Sequence, residues 1–171
     1  MIEETLQHDR HNVRSFRCGN LALDTWLRGA AVKAMHAGTA HTRVLIEGDP
    51  STGRAPILGY YSLAAATIVM EDILETDRQN LPKHPIPACL LARLAVSSDY
   101  HRKGLGGALL ARACLRILQA SDLLGISFIV VDAIDDNAIR FYRRYDFTPA
   151  GTPNRLYMAV GRAKSLSKLL P

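Results

Sequence analysis

The chain has 171 residues, which suits one domain of ordinary size, and 48% are apolar, enough for a real core and too many for a disordered chain. A formal charge of +5 favours an anionic partner such as a nucleic acid or a polyphosphate. Cys18, Cys89 and Cys114 show no zinc spacing, the acidic start has no signal segment, and the longest apolar run (57–70) is too short to span a membrane; the expectation is a soluble, cytoplasmic protein without a metal.

Asn20 is a candidate N-cap. Leu23, Trp26, Leu27, Ala30, Ala31, Ala34 and Met35 recur at helical spacing, so the pattern predicts a helix over 20–37 that stops at Gly38. Residues 42–47 and 57–67 read as a hairpin joined by the turn cluster 48–53. Residues 71–80 are polar with some helical character. Pro82, Pro85 and Pro87 then make an extended lead into a strand over 88–96. A helix over 104–120 follows. Residues 128–133 fit a central strand, Asp135 or Asp136 caps a short helix running to Tyr145, and 155–160 reads as a closing strand. The basic tail 161–170 is weakly helical. No repeat interrupts this order, and the sum is a single mixed α/β domain over 1–171.

The sharpest local signal is Leu90-Leu91-Ala92-Arg93-Leu94-Ala95-Val96 followed by Tyr100-His101-Arg102-Lys103-Gly104-Leu105-Gly106-Gly107 and an apolar helix. A strand that delivers glycines to a helix start is a phosphate cradle, because glycines let backbone N–H groups approach an anion and the helix end adds partial positive charge. Arg102 and Lys103 add full charges. A nucleoside-triphosphate loop is excluded, since no Gly-Lys-Ser/Thr follows, and a dinucleotide fingerprint lacks its third glycine, where Leu109 stands. By itself, the turn is equally explained as a tight entry to a core helix.

A second motif follows the strand over 128–133: Asp135-Asp136-Asn137-Ala138-Ile139-Arg140-Phe141-Tyr142-Arg143-Arg144-Tyr145-Asp146-Phe147. The pair resembles the GNAT superfamily of N-acetyltransferases, in which an Arg/Gln-x-x-Gly-x-Gly/Ala turn binds the acetyl-CoA pyrophosphate and a later Ala-x-x-x-Tyr helix, followed by Gly-Phe, places a tyrosine beside the thioester. Gly104, Gly106, Ala138 and Tyr142 match. His101 stands where Arg or Gln is usual, Asp135 where Asn is frequent, and Asp146 where Gly precedes Phe. The opening Phe16-Arg17-Cys18-Gly19-Asn20 with Leu23-Asp24-Thr25-Trp26-Leu27 is similar to the tRNA-acetylating toxins of type II toxin–antitoxin systems. Gly59-Tyr60-Tyr61-Ser62-Leu63, Arg93-Leu94-Ala95-Val96 and Val131-Asp132-Ala133 extend that likeness from about residue 14 to 158.

The resemblance implies a mostly antiparallel central sheet flanked by helices, with splayed strands that hold acetyl-CoA. Backbone groups of Leu94, Ala95 and Val96 are expected along the pantetheine arm, and His101, Arg102, Lys103, Gly104, Leu105, Gly106 and Gly107 around the pyrophosphate. Asp135 and Ala138 complete the implied cofactor set. It also implies an aminoacyl-tRNA acceptor, a ribbon-helix-helix antitoxin and a homodimer. The acceptor amine, with a pKa near ~8 lowered by its ester, is partly neutral near pH 7 and demands no strong base. The departing thiolate needs a proton, and a thiol and a tyrosine hydroxyl differ by only about one to two pKa units, which suits Tyr142 as general acid.

His41, His84, Glu47 and Asp132 have no motif partner and read as structural or solvated. Arg14, Arg17, Arg28, Lys33, Arg43, Arg93, Arg140, Arg143, Arg144 and Arg155 are candidates for an RNA surface, each equally explained as a solvated cation. Arg143 and Arg144 also suit an acidic antitoxin segment. Competing functions are acetyl transfer to a small-molecule or protein amine, a non-catalytic CoA-binding module, and a plain nucleic-acid binder, the last disfavoured by dispersed charge and the lack of a recognition motif.

Overall fold

The computed structural model describes residues 1–48 and 53–170. Its strands are β1 (Ile2–Thr5), β2 (His11–Asn12), β3 (His41–Ile46), β4 (Ala55–Ile68), β5 (Ile86–Val96), β6 (Phe128–Asp132), β7 (Thr148–Pro149) and β8 (Arg155–Ala159). The helices are α1 (Leu21–Gly29), α2 (Ala31–His36), α3 (Leu105–Ser121) and α4 (Asp136–Arg144). Two compact units emerge, Met1–Ala64 with Arg93–Leu110, and Ala65–Ala92 with Ala111 onward. In the first unit the strand order is β1-β3-β4; in the second it is β5-β6-β8-β7, and β4 and β5 contribute residues to both. The ladders β1–β3, β3–β4, β6–β8 and β7–β8 are antiparallel, and β2 with β4 and β5 with β6 are parallel. This is the mixed, mostly antiparallel α/β sheet flanked by helices that the sequence led us to expect.

In the first unit, the hairpin β3–β4 forms with Val44 opposite Tyr60 and Thr42 opposite Ser62. Its expected connection falls largely on residues 49–52, outside the described residues. Both strands bury consecutive residues; Val44, Ile46, Ile57 and Tyr60 share one core, to which α1 and α2 add Leu27 and Ala31. Asn20 caps α1 as expected, its Oδ1 accepting the amides of Ala22 (3.0 Å) and Leu23 (3.2 Å). The helix expected over 20–37 is broken at Ala30, directly after Gly29, the poorest helix former in the run. Gly38, at φ +69°, closes α2.

The second unit has its own core of Ile68, Ile73, Ile86, Ala88, Phe128, Val130 and Tyr157. The parallel ladder of β5 and β6 covers Ala88↔Phe128, Cys89↔Ile129 and Leu90↔Val130, whereas β5 runs on to Val96. The ladder of β5 with β6 therefore ends at Leu90, six residues before the end of β5. The polar stretch 71–80 forms two 3-10 turns, Met70–Asp72 and Glu75–Asp77, instead of one helix. Side-chain tethers win over helix propensity there. The buried Asp72 accepts from the Thr152 amide (2.7 Å) and hydroxyl (2.8 Å), and Asp77 accepts from the Tyr157 hydroxyl (2.8 Å). The tail is a 3-10 run, Val160–Leu169, that buries Ala163 and Leu166. Among the described residues no helix is long and apolar enough to cross a membrane, and no group of His, Cys, Asp and Glu is placed to hold a metal ion.

Candidate functional site

The glycine turn and the end of β5 lie together in the first unit. Gly59 makes this possible: a Cβ there would sit 3.0 Å from the Ala95 carbonyl oxygen and 3.1 Å from Leu109 Cδ2. The close approach lets the Ser97 amide donate to Leu58 O at 2.8 Å. After a 3-10 turn over Ser98–Tyr100, the His101 ring nitrogen Nε2 donates to Val96 O at 2.9 Å. That carbonyl keeps a second lone pair for an incoming donor.

Arg102 (φ +61°) and Gly104 (φ +77°) adopt left-handed conformations, and a Cβ on Gly104 would meet nothing within 4 Å. Glycine is therefore suited to this position by its backbone angle and by the open space beside it. Leu105 begins α3 and is buried, while Gly107 and Ala108 send their amides back to Gly104 O. The amides of Leu105 and Gly106, ahead of these, have no carbonyl four residues back within the helix, and they carry the positive end of the helix dipole. Exposed Arg102 and Lys103 flank them, and Lys103 Nζ rests 5.0 Å over the Tyr100 ring. Tyr100 in turn donates to Glu47 at 3.1 Å, which raises the phenol above its ordinary range. An open, left-handed, cation-flanked helix entry fits a pyrophosphate, and the β5 backbone beside it fits an extended amide chain.

Sequence reasoning missed an aromatic column in the same unit. Phe16 meets Tyr60 edge-on at 5.5 Å, Trp26 stacks on Tyr60 at 6.0 Å, and the Arg93 guanidinium lies 4.2 Å over Trp26. Trp26 and Arg93 were each legible as residues, but their pairing joins α1 to β5 and has no signal in local spacing. Asp24, also buried, accepts the Cys18 amide at 2.9 Å. Burial, with Asp24 beside it, pushes the Cys18 thiol up to about 11.

In the second unit, Asp135 is the N-cap of α4, its Oδ1 accepting the Ala138 amide at 2.8 Å. Tyr142 is buried, packed against Phe141 (5.2 Å) and Phe147 (5.5 Å). Burial, and secondarily Cys114 nearby, raises its phenol well above the usual tyrosine range, so it keeps its proton, and the small gap to a thiol expected from the sequence is widened by that burial. Asp146 has φ +65° and Phe147 returns its amide to Tyr142 O. This explains the departure at Asp146: the position ends a helix in the left-handed region, which glycine favours and Asp tolerates.

The four residues set aside as bases have partners. Asp132 holds Arg155 through two bonds (2.7 and 2.9 Å), Glu47 accepts from Tyr100, His84 Nδ1 meets Pro85 O at 3.1 Å, and His41 is also engaged. Several RNA candidates are committed as well. Arg43 pairs with Glu3, Arg17 and Arg28 donate to backbone carbonyls, and Arg140 donates to Asn137.

A family model described as an acetyltransferase (GNAT) domain matches residues 62–149. The chain is 35% identical over 159 residues to a "tRNA-acetylating toxin" of Mycobacterium tuberculosis (strain ATCC 25618 / H37Rv), covering 92% of each chain. It superimposes on AtaT complexed with acetyl-methionyl-tRNAfMet with a TM-score of 0.87 at 25% identity, covering 97% of this chain and 98% of that one. AtaTR bound with acetyl-CoA gives a TM-score of 0.82 at 25% identity, covering 97% of each. With the glycine turn, the short β5–β6 ladder and the tyrosine helix in place, the chain belongs to the GNAT family of acetyl-CoA-dependent N-acetyltransferases.

Proposed function

We propose that this protein is a toxin that moves the acetyl group of acetyl-CoA onto the α-amino group of an aminoacyl-tRNA and so blocks translation. The observation that carries the reading is the 35% identity, over 92% of both chains, to a protein named for acetylating tRNA. The single domain over 1–171, an antitoxin partner of ribbon-helix-helix type, a homodimer and a cytoplasmic location belong to the same reading.

When bound, acetyl-CoA supplies an acetyl thioester. The amides from Arg102 to Gly107, with the Arg102 and Lys103 side chains, hold the pyrophosphate. Backbone groups of Leu94, Ala95 and Val96 line the pantetheine arm, His101 steadies the Val96 carbonyl, and Asp135 and Ala138 set the start of α4. As the C–N bond forms and the C–S bond breaks, Tyr142 gives its proton to the sulfur, the amine releases one to solvent, and Tyr142 regains one from solvent before the next turnover. The raised phenol holds that proton throughout the neutral range.

The test is transfer of labelled acetyl from acetyl-CoA to bulk charged tRNA, with deacylated tRNA alongside. Label on charged tRNA alone is expected. Label on neither, with small-molecule or protein amines acetylated instead, replaces this reading.

A further inference from the structure

The second unit contains an open cavity of about 740 Å³ between the end of α4 and the 3-10 tail. Its cations are Arg143, Arg162 and Lys164, its one acid is Asp146, and Phe147 and Pro149 form part of its wall. All three cations are exposed. Most arginines proposed for RNA contact are held elsewhere by carboxylates, carbonyls or an indole ring, as described above. By contrast, among the described residues no hydrogen bond or ion pair engages the Arg143 guanidinium or the Lys164 ammonium, and the Arg162 guanidinium has only a long contact with Asp77, 3.9 Å. A cation without a carboxylate partner exchanges only water and counterions when it binds an anion, so its charge is free for a ligand. Arg162 and Lys164 extend to solvent from a segment anchored by buried Ala163 and Leu166, which fixes the spacing of the charges.

We infer that this cavity is a docking site for the RNA phosphate backbone, remote in sequence from the acetyl-CoA turn. The inference rests on the reading that charged tRNA is the acceptor. Arginine forks match phosphate oxygens, lysine adds a point charge, and the partly apolar wall accommodates ribose. Contacts of this kind set affinity and register without reading bases, so every tRNA body is held equally and amino-acid choice lies elsewhere.

The test removes charge without touching the buried anchors, in Arg162→Gln/Lys164→Gln. Acetylation is followed with bulk charged tRNA and with a short single-stranded aminoacyl oligonucleotide, across a salt series. The expected result is a KM for charged tRNA raised on the order of tenfold and a log–log salt slope reduced by about two, because each phosphate contact contributes about 0.9. Rates with the short acceptor and KM for acetyl-CoA stay unchanged. An unchanged tRNA KM and salt slope overturns the site, as does equal loss on both acceptors. Equilibrium binding of labelled tRNA to wild type and variant, over the same salt series, separates the two readings: a wild type that acetylates neither acceptor breaks the functional reading, while a binding slope that still falls in the variant upholds the cavity. Displacement of polyglutamate, but not of tRNA, by the double substitution assigns the cavity to an acidic protein segment and overturns the RNA assignment.

Discussion

The first unit offers a ligand its backbone: left-handed Arg102 and Gly104, the first amides of α3, and the end of β5. The second offers one buried hydroxyl, that of Tyr142, set on a helix capped by Asp135, and the proposed chemistry depends on it. The difference teaches how each tolerates change. Backbone recognition survives a change of side chain, so His101 can stand where the family has Arg or Gln, provided the turn angles persist. A buried phenol has no such latitude, since its proton leaves with its oxygen.

The largest expected effect follows directly. Tyr142→Phe retains the packing against Phe141 and Phe147 and removes the proton, so kcat falls by about 10²–10⁴-fold while acetyl-CoA affinity holds, checked by steady-state kinetics with calorimetry. The same residue fixes a pH signature. Its folded pKa lies above the unfolded value, so the associated stability is complete below about pH 10 and is lost as pH climbs toward the folded value. Loss of kcat from Tyr142 ionisation is therefore absent up to about pH 10. Gly104→Val is next. A β-branched residue at φ +77° costs about 1–2 kcal/mol, so acetyl-CoA Kd weakens about tenfold in a binding titration, with kcat at saturation near wild type.

Smaller effects concern the frame. Asn20→Ala leaves two α1 amides without their cap and lowers stability by about 1 kcal/mol in urea unfolding. Asp146→Gly relieves a left-handed residue and raises stability by up to about 1 kcal/mol in the same assay, with no change in kcat.

What was legible in the sequence tracks how local the cause is. The Asn20 cap, the stop at Gly38, the β3–β4 hairpin, the glycine turn and the Asp135 cap depend on neighbours within a few residues, and all appear where expected. The tethers from Asp72 to Thr152 and from Asp77 to Tyr157 span 80 residues each, and they hold a polar stretch of some helical character in two 3-10 turns. Short β1, β2 and β7 have too few residues to show a period and exist through their ladder partners. The same holds at the candidate site. Gly104, Gly106 and Tyr142 announced themselves by spacing, whereas the stacking of Arg93 on Trp26 and the grouping of Arg143 with Arg162 and Lys164 arise only when distant segments meet.

On the proposed function, cofactor binding and proton delivery are separable, one made by the turn and the other by Tyr142. Single-turnover transfer to charged tRNA, measured over a range of acetyl-CoA for wild type, Gly104→Val, Tyr142→Phe and the double variant, tests it most directly. Tyr142→Phe is expected to lower the saturating rate by the same factor with or without Gly104→Val and to leave the acetyl-CoA concentration for half-saturation alone. A Tyr142→Phe variant that transfers at the full wild-type rate, or that fails only by losing acetyl-CoA, contradicts it.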